Sequence, residues 1–341
     1  MATPKDLVRV AVDIMGGDNA PEEIVRGALL AAAEDNGGLH IILVGDQDVL
    51  SEQKQKHDMT GLPISMIPSE GVVIEGEPPA LALRQKPKAS IMVSTGLVKA
   101  GHADASVTMG STGAAMASSA VILGRIPGIE RPSLGGPIIG SSPHTFIADL
   151  GTNVDCRPSQ LLSFAAMGVV FARQFWNVEK PRVAILSVGS EQGKGNSLVQ
   201  ETDELMKTSG LNYIGNVEAN DLVHGKAEVV VCDGFVGNVI MKLSEGLGES
   251  VSDFLKGKLA QYTDVKEAQE ISKEVYDLYN VVETHGGGPI LGVDGISVVG
   301  HGSARAGSVK RAIGTAQFAV TSEFIARLND ELARVLSNAK V

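Results

Sequence analysis

The chain has 341 residues, of which 43% are hydrophobic and 20% are charged, a composition typical of a globular protein with a full core. The net charge of −11 argues against a nucleic acid partner, because binding to a phosphate backbone needs clustered Lys and Arg. Two cysteines make no disulfide framework, and neither a signal-peptide core nor a run of 18 apolar residues is found, so we expect a soluble, cytoplasmic protein.

Short runs of aliphatic and β-branched residues alternate with helical patterns along the chain. The sequence predicts strands at residues 7–13, 40–44, 105–109, 145–150, 182–188, 227–232 and 296–299. Helices are predicted at residues 21–35, 112–123, 158–176 and 196–209. Several strands are apolar throughout, which is typical of strands buried on both faces of a parallel sheet. The alternation predicts an α/β fold, a three-layer α/β/α sandwich with a mainly parallel sheet, in a single domain of residues 1–341.

Residues 236–282 break this alternation, since they contain no predicted strand. Two apolar stripes with helical spacing run through them, at Ile240, Leu243, Leu247, Val251 and Phe254 and at Val265, Ala268, Ile271, Val275, Leu278 and Val282. The sequence predicts a projecting helical hairpin. One hairpin cannot bury both stripes, so we expect it to pair with a second copy in a homodimer. The tip, residues 254–262, adds two lysines to apolar residues, which suits an anionic membrane surface; a wholly structural contact is the alternative.

Glycine-rich turns follow the predicted strands, and doubly wound sheets bind ligands beyond the carboxyl ends of their strands. The turns after the first and third predicted strands contain Asp13, Gly16, Gly17, Asp18, Gly110, Ser111, Thr112 and Gly113. The second of these turns precedes a helix, where free N–H groups and two hydroxyl groups can hold a phosphate. The alternative is that Ser111 or Thr112 only caps the helix.

Residues 189–196 form another such turn, with Lys194 between two glycines. Three residues separate Gly189 from Gly193, and Gly195 follows Lys194, so the turn departs from a Walker loop and disfavours nucleotide hydrolysis. Lys194 is predicted to bind an anion, with an exposed surface turn as the alternative. The remaining turns supply Asn153, Asp233, Asn238 and His301. Together the turns indicate one shared site.

Missing motifs narrow the chemistry further. No glycine-rich dinucleotide motif, nucleophile elbow or zinc-binding motif is present, so no cofactor and no metal is predicted. Cys232 ends a predicted buried strand, where a thiol is more often inert than nucleophilic.

The segment Val-Asp-Ile-Met-Gly-Gly-Asp-Asn-Ala-Pro at residues 12–21 resembles the phosphate acyltransferases of bacterial phospholipid synthesis (the PlsX family). The likeness continues in order through residues 110–114, 193–196, 215–218, 233–238, 288–292 and 301–303. It implies transfer of a long-chain fatty acyl group from acyl carrier protein to inorganic phosphate, with no cofactor, giving acyl phosphate for a glycerol-3-phosphate acyltransferase. It also implies a fold like that of isopropylmalate dehydrogenases and phosphotransacetylases, and a dimer associated peripherally with membranes.

We assign site residues from the chemistry that this reaction needs. Phosphate is itself the nucleophile, so helix N-termini and Lys194 would supply the positive field and His301 would protonate the departing thiolate. The predicted catalytic residues are Lys194, His301 and Asp233. The predicted phosphate-binding residues are Gly110, Ser111, Thr112, Gly113 and Asn196. The predicted substrate-binding residues are Asp13, Gly16, Gly17, Asp18, Asn153, Asn216 and Asn238.

The chain departs from the family pattern at Ser111, where the family usually has Asn. Two other functions remain open. A phosphotransacetylase acting on a coenzyme A thioester would use the same turns but needs no groove for a long acyl chain. A non-catalytic regulator that binds acyl carrier protein is the other alternative, and the many polar turns after strands argue against it.

Overall fold

The computed structural model describes residues 7–340, which divide into two compact units. The strands are β1 (Val8–Asp13), β2 (Leu39–Asp46), β3 (Ile64–Ser69), β4 (Ala105–Thr108), β5 (Gly135–Gly136), β6 (Phe146–Ala148), β7 (Val183–Leu186), β8 (Tyr213–Val217), β9 (Val229–Val231), β10 (Gly288–Pro289) and β11 (Ile296–Val299). The helices are α1 (Glu22–Glu34), α2 (Gln47–Lys56), α3 (Pro79–Gln85), α4 (Ser90–Lys99), α5 (Thr112–Ser118, continued by a π-helical turn at Ser119–Leu123), α6 (Pro158–Trp176), α7 (Ser197–Thr208), α8 (Ala219–Leu222), α9 (Gly234–Leu259), α10 (Val265–Tyr279), α11 (Val281–His285), α12 (Ala306–Thr321) and α13 (Phe324–Ala339).

The first unit comprises the described residues up to Pro132 together with His285–Asn329. Its sheet has the order β10-β11-β4-β1-β2-β3, and all neighbours are parallel except β10, which is antiparallel to β11. On one face, Ala11 and Val44 pack in a cluster with Leu97 of α4. Helices α12 and α1 cover the other face. The carboxyl ends of β1, β4 and β11 therefore meet at one edge of the sheet.

The second unit comprises Ser133–Thr284 and the residues from Asp330. Its sheet has the order β5-β6-β9-β7-β8, again parallel except for the short strand β5 at one edge. Helix α6 buries residues on all sides, and Gly168 lies so close to the sheet that a Cβ there would be 2.6 Å from Val229. The carboxyl ends of β6, β9, β7 and β8 share one edge, as in the first unit.

Helices α9 and α10 form the predicted hairpin. Their contact uses small residues, since Ser252 Oγ donates to the Ser272 carbonyl at 2.7 Å and Ser244 Oγ donates to the Tyr279 carbonyl at 3.2 Å. A Cβ at Gly248 would lie 2.5 Å from Tyr279 Cβ. The larger apolar residues of α9 stay outside this contact, and Leu243 is 60% exposed. Among the described residues, no helix is long and apolar enough to span a membrane.

The structure confirms three predictions from the sequence: the α/β class, the mainly parallel strand pairing and the helix at residues 158–176. The described residues form two units with a sheet each, so the single sheet of the prediction is corrected to two. The single domain of residues 1–341 stays a prediction. Strands β3 and β8 lie at sheet edges and are only partly buried, so they lack a continuous apolar run. Helix α4 was not predicted because its buried residues mix polar and apolar side chains: Ser94 and Thr95 are buried beside Ile91 and Met92, and their hydroxyl groups donate to carbonyls one turn earlier.

Candidate functional site

Asp13 is the last residue of β1, and its carboxyl group organises the turn that follows. Its Oδ1 accepts a hydrogen bond from the Met15 N–H at 3.0 Å, and its Oδ2 accepts one from Thr108 Oγ1 at 2.8 Å. The side chain is fully buried, and burial raises the pKa of the Asp13 carboxyl, against the lowering effect of these hydrogen bonds. The Asp13 carboxyl group therefore holds the turn through hydrogen bonds and is not exposed to solvent.

The turns after β1 and β4 touch through their glycines. A Cβ on Gly16 would lie 2.8 Å from the Gly110 backbone and 2.9 Å from Asp13 Oδ2, so no side chain fits there. Gly17 has a φ of 106°, a conformation that favours glycine. The Gly110 N–H donates to Thr108 Oγ1 at 3.0 Å, and this hydrogen bond fixes the start of the second turn.

Helix α5 begins directly after this contact. Ser111 is its N-cap, and the Ser111 hydroxyl accepts a hydrogen bond from the Ala114 N–H at 3.5 Å. Thr112 and Gly113 form the first two helical positions, whose N–H groups have no acceptor within the helix. The Thr112 side chain is exposed. Ser111 thus takes the capping role, and the Thr112 side chain is exposed at the start of the helix.

His301 lies in the turn after β11, at the same sheet edge. The Asp18 N–H donates to the Gly302 carbonyl at 2.8 Å, which joins this turn to the one after β1. His301 Nδ1 lies 2.9 Å from Ser303 Oγ, and the Ser303 N–H donates to the same nitrogen at 3.4 Å. Ser303 therefore holds the His301 imidazole through Nδ1.

Lys194 lies in the turn after β7, in the second unit. Its stem packs over Gly189, where a Cβ would be 3.1 Å from Lys194 Cγ. Two amide side chains hold the turn: Asn216 Nδ2 donates to the Glu191 carbonyl at 3.2 Å, and Gln200 Nε2 donates to the Gly193 carbonyl at 2.9 Å. The Lys194 side chain itself is exposed, so the turn presents an ammonium on a supported backbone.

An open pocket of about 360 Å³ adjoins this turn, lined by Gln192, Gly193, Lys194, Gln200, Glu201, Asp203, Glu204 and Asn216. Lys207 neutralises two of its carboxylates, with its Nζ 2.5 Å from Asp203 and 2.7 Å from Glu204. Asn196 caps α7 by accepting the Val199 N–H at 3.0 Å. The Asn196 side chain therefore has a structural role.

The turns after β6 and β9 are bonded to each other. Asp149 is buried and accepts hydrogen bonds from Thr152 Oγ1 at 2.5 Å and Asn153 Nδ2 at 2.6 Å. The Asn153 carbonyl accepts the Gly234 N–H at 2.8 Å. Asp233 caps α9 through the Val236 N–H at 2.9 Å. Burial raises the pKa of the Cys232 thiol, so Cys232 is not a thiolate nucleophile.

The comparisons with known proteins assign the chain to a family. Residues 8–327 match the family model described as "Fatty acid synthesis protein". A phosphate acyltransferase from Desulforamulus reducens is 40% identical over 328 residues, covering 96% of this chain and 98% of that protein. One from Moorella thermoacetica is 42% identical over 332 residues, covering 95% of both chains. The chain belongs to the phosphate acyltransferase family.

Solved structures of low sequence identity share the fold of this phosphate acyltransferase family member. A phosphotransacetylase from Streptococcus pyogenes superimposes with a TM-score of 0.61 at 21% identity, covering 93% of this chain and 96% of that one. The EutD phosphotransacetylase from Staphylococcus aureus gives a TM-score of 0.60 at 17% identity, covering 94% and 95%. These likenesses confirm the predicted phosphotransacetylase-like fold. Family membership makes the chain an acyltransferase, which excludes the alternative of a non-catalytic regulator.

The structure of this acyltransferase groups the predicted site residues in three places. Asp13, Gly16, Gly17, Asp18, the turn 110–113 and His301 lie at the carboxyl edge of the first sheet. In the second unit, Lys194, Asn196 and Asn216 form one group, and Asn153, Asp233 and Asn238 form another around the turn after β6.

Thr108, Asp149 and Gln200 also support these turns in the family member, although the sequence analysis did not select them. A usable signal existed for Thr108 and Asp149, since each is a polar residue at the end of a buried apolar strand. Within residues 7–340, no group of three or more His, Cys, Asp or Glu side chains is arranged to hold a metal ion.

Proposed function

We propose that this chain transfers a long-chain fatty acyl group from acyl carrier protein to inorganic phosphate and releases acyl phosphate. The observation that carries the proposal is the contact between the turns after β1 and β4, which places the open start of α5 at the edge that also holds His301. Such an edge suits an anionic nucleophile that needs positioning more than activation. An enzyme that acylates glycerol-3-phosphate would consume the product.

In the proposed mechanism, the N–H groups of Thr112 and Gly113 and the Thr112 hydroxyl bind phosphate. One phosphate oxygen attacks the thioester carbonyl carbon, a C–O bond forms, and the tetrahedral intermediate collapses with cleavage of the C–S bond. Hydrogen phosphate loses one proton in the reaction, and the leaving thiolate gains one. His301 Nε2 donates a proton to sulfur and is reprotonated by the proton that hydrogen phosphate loses, with Ser303 orienting the ring through Nδ1.

Lys194 contributes a positive charge to the same reaction in this proposal. Its ammonium would stabilise the negative charge that develops on the carbonyl oxygen or on phosphate in the transition state. The support is the geometry of its turn, where Asn216 and Gln200 fix the backbone and leave the long side chain exposed. Three other predicted residues have positioning roles in this proposal. Asp233 and Asn196 cap their helices, and Asn153 holds the turn after β6.

The reaction class can be tested directly. Thiol release from palmitoyl acyl carrier protein should require inorganic phosphate and should be indifferent to NAD, ATP and EDTA. Free thiol is measured with a chromogenic disulfide, and acyl phosphate is trapped with hydroxylamine. Acetyl-CoA serves as the second donor, because a phosphotransacetylase would prefer it. Loss of activity in EDTA, an absolute need for nucleotide, or a preference for acetyl-CoA would refute the proposal.

Thr112 can be separated from its capping neighbour by two substitutions. We expect Thr112→Val to raise the KM for phosphate about ten- to hundredfold, because a hydrogen bond to a charged ligand contributes about 1.5–3 kcal/mol. The KM for the acyl donor should stay nearly constant. The matched variant Ser111→Ala should lower the free energy of unfolding by about 0.5–2 kcal/mol through loss of the cap. If Thr112→Val alters only thermal stability, Thr112 does not bind phosphate.

We further propose that the hairpin pairs two copies of the chain and touches the membrane at its tip. Small residues fill the contact between α9 and α10, so Leu243, Leu247 and Val251 remain exposed on α9. A second hairpin packed on this stripe would bury it in a four-helix arrangement. At the tip, Phe254 is 69% and Tyr262 is 77% exposed, beside Lys256 and Lys258, a combination suited to an anionic bilayer.

Charge substitutions distinguish the two parts of the hairpin. Val251→Asp should convert the dimer to monomer in light scattering, because an unpaired carboxylate would be buried in the interface. Tyr262→Glu should leave the dimer intact and reduce flotation with vesicles of phosphatidylglycerol. The matched control is Gln269→Asp, which places the same charge at an exposed position of α10 outside both apolar stripes. A dimer that survives Val251→Asp, or flotation unaffected by Tyr262→Glu, would refute the corresponding part.

A further inference from the structure

Three large hydrophobic side chains are exposed at the carboxyl edge of the second sheet. Val154 follows β6 and is 57% exposed, Phe235 follows β9 and is 62% exposed, and Val188 follows β7 and is 84% exposed. Isolated exposed hydrophobic residues are common on protein surfaces, but a group in one place indicates a binding surface.

The sheet order places these residues side by side. Strands β6, β9 and β7 are consecutive and parallel, and neighbouring strands lie about 4.8 Å apart, so the three turns span about 10 Å. The Asn153 carbonyl accepts the Gly234 N–H at 2.8 Å, and Val154 and Phe235 directly follow these bonded residues. Val239, one helical turn after Phe235, is 48% exposed and extends the surface along α9.

The turns after β1 and β4 of the first sheet differ from these turns. Ile14 and Met109 follow β1 and β4 directly, and both are fully buried. The turns after β1 and β4 present backbone N–H groups and polar side chains, whereas the turns after β6, β9 and β7 also expose apolar side chains.

We infer that Val154, Val188, Phe235 and Val239 form the binding surface for the acyl chain of the thioester donor. Val188 immediately precedes Gly189, over which the stem of Lys194 packs, so the apolar surface borders a cation-bearing turn. An acyl thioester has the matching shape, with a long apolar chain ending in the polar carbonyl group that reacts. This inference rests on the proposed function and adds the residues that select chain length.

The test compares donors of two lengths in the intact protein. The ratio of kcat/KM for palmitoyl to butyryl acyl carrier protein should fall about tenfold in Val188→Ser, about tenfold in Phe235→Ser and about a hundredfold in the double variant. Val121→Ser is the matched control, since Val121 is 69% exposed in the first unit and should leave the ratio unchanged. Circular dichroism checks the fold, and Val188→Ser alone decides the question if substitution of Phe235 prevents folding.

The outcomes separate this inference from the proposed function. A wild-type protein that releases no thiol in a phosphate-dependent way from either donor refutes the proposed function itself. An active wild type whose variants keep the original ratio refutes only the acyl surface. Variants that keep the ratio but change the oligomeric state or vesicle flotation would show that a second copy or a bilayer covers these residues, which also overturns the inference.

Discussion

Replacement of His301 with glutamine is expected to lower kcat by about a hundred- to ten-thousandfold, the usual contribution of a positioned general acid. Glutamine keeps a hydrogen-bond donor of similar reach but cannot transfer a proton. The loss should shrink for an acyl thioester of thiophenol, whose thiolate leaves without protonation. Thiol release with both donors measures the two effects, and equal losses would show that His301 does not protonate the leaving group.

Two further variants define the role of the His301 turn. His102→Gln, which alters an exposed imidazole in the loop before β4, should leave kcat unchanged. Ser303→Ala removes the partner of Nδ1 and should cost about tenfold in kcat, because the ring loses its orientation while keeping its proton. A loss in Ser303→Ala as large as in His301→Gln would point instead to a covalent acyl-serine route.

Replacement of Lys194 with methionine should lower kcat about a hundredfold while the protein stays folded. Methionine preserves the stem that packs over Gly189, so the substitution removes little besides the charge. Loss of one preorganised donor to a transition-state oxyanion typically costs about a hundred- to a thousandfold. Steady-state kinetics with both substrates varied shows whether the loss falls on kcat or on the KM for phosphate.

Lys207→Met is the matched control for this prediction. Lys207 borders the same pocket, but its charge is already paired with Asp203 and Glu204, so its removal should affect stability slightly and turnover little. Near-normal kcat in Lys194→Met, or an equal loss of kcat in both variants, would show that Lys194 is a solvated turn residue with no role in catalysis.

The sequence predicted best the helices and strands whose residues are buried along most of their length. Helix α6 is apolar on nearly every side and begins at Pro158, so composition and capping identify it at both ends. Strand β8 escapes detection because it lies at a sheet edge and contains Gly215 at a φ of 95°. The division into two units depends on long-range strand pairing, which local periodicity does not encode.

For the candidate site, the sequence identified the turns but not the role of each side chain in them. Ser111, Asn196 and Asp233 all precede helices, and the structure shows each one capping its helix. A polar residue before a helix is the same signal whether it binds a ligand or an N–H group, so only geometry separates the two roles. The surface formed by Val188 and Phe235 is equally invisible in the sequence, because exposure depends on tertiary packing.

The contact between Gly16 and Gly110 restricts how the substrate range of this enzyme can change. Any side chain at Gly16 would collide with the Gly110 backbone and with Asp13. The contact between the turns after β1 and β4 therefore consists of backbone atoms, and substitution at Gly16 cannot change its shape. In the proposed function, phosphate binding at this turn therefore stays fixed across variants. Divergence in donor preference must arise where side chains are free to vary, as at Val188, and directed evolution of chain length should begin there.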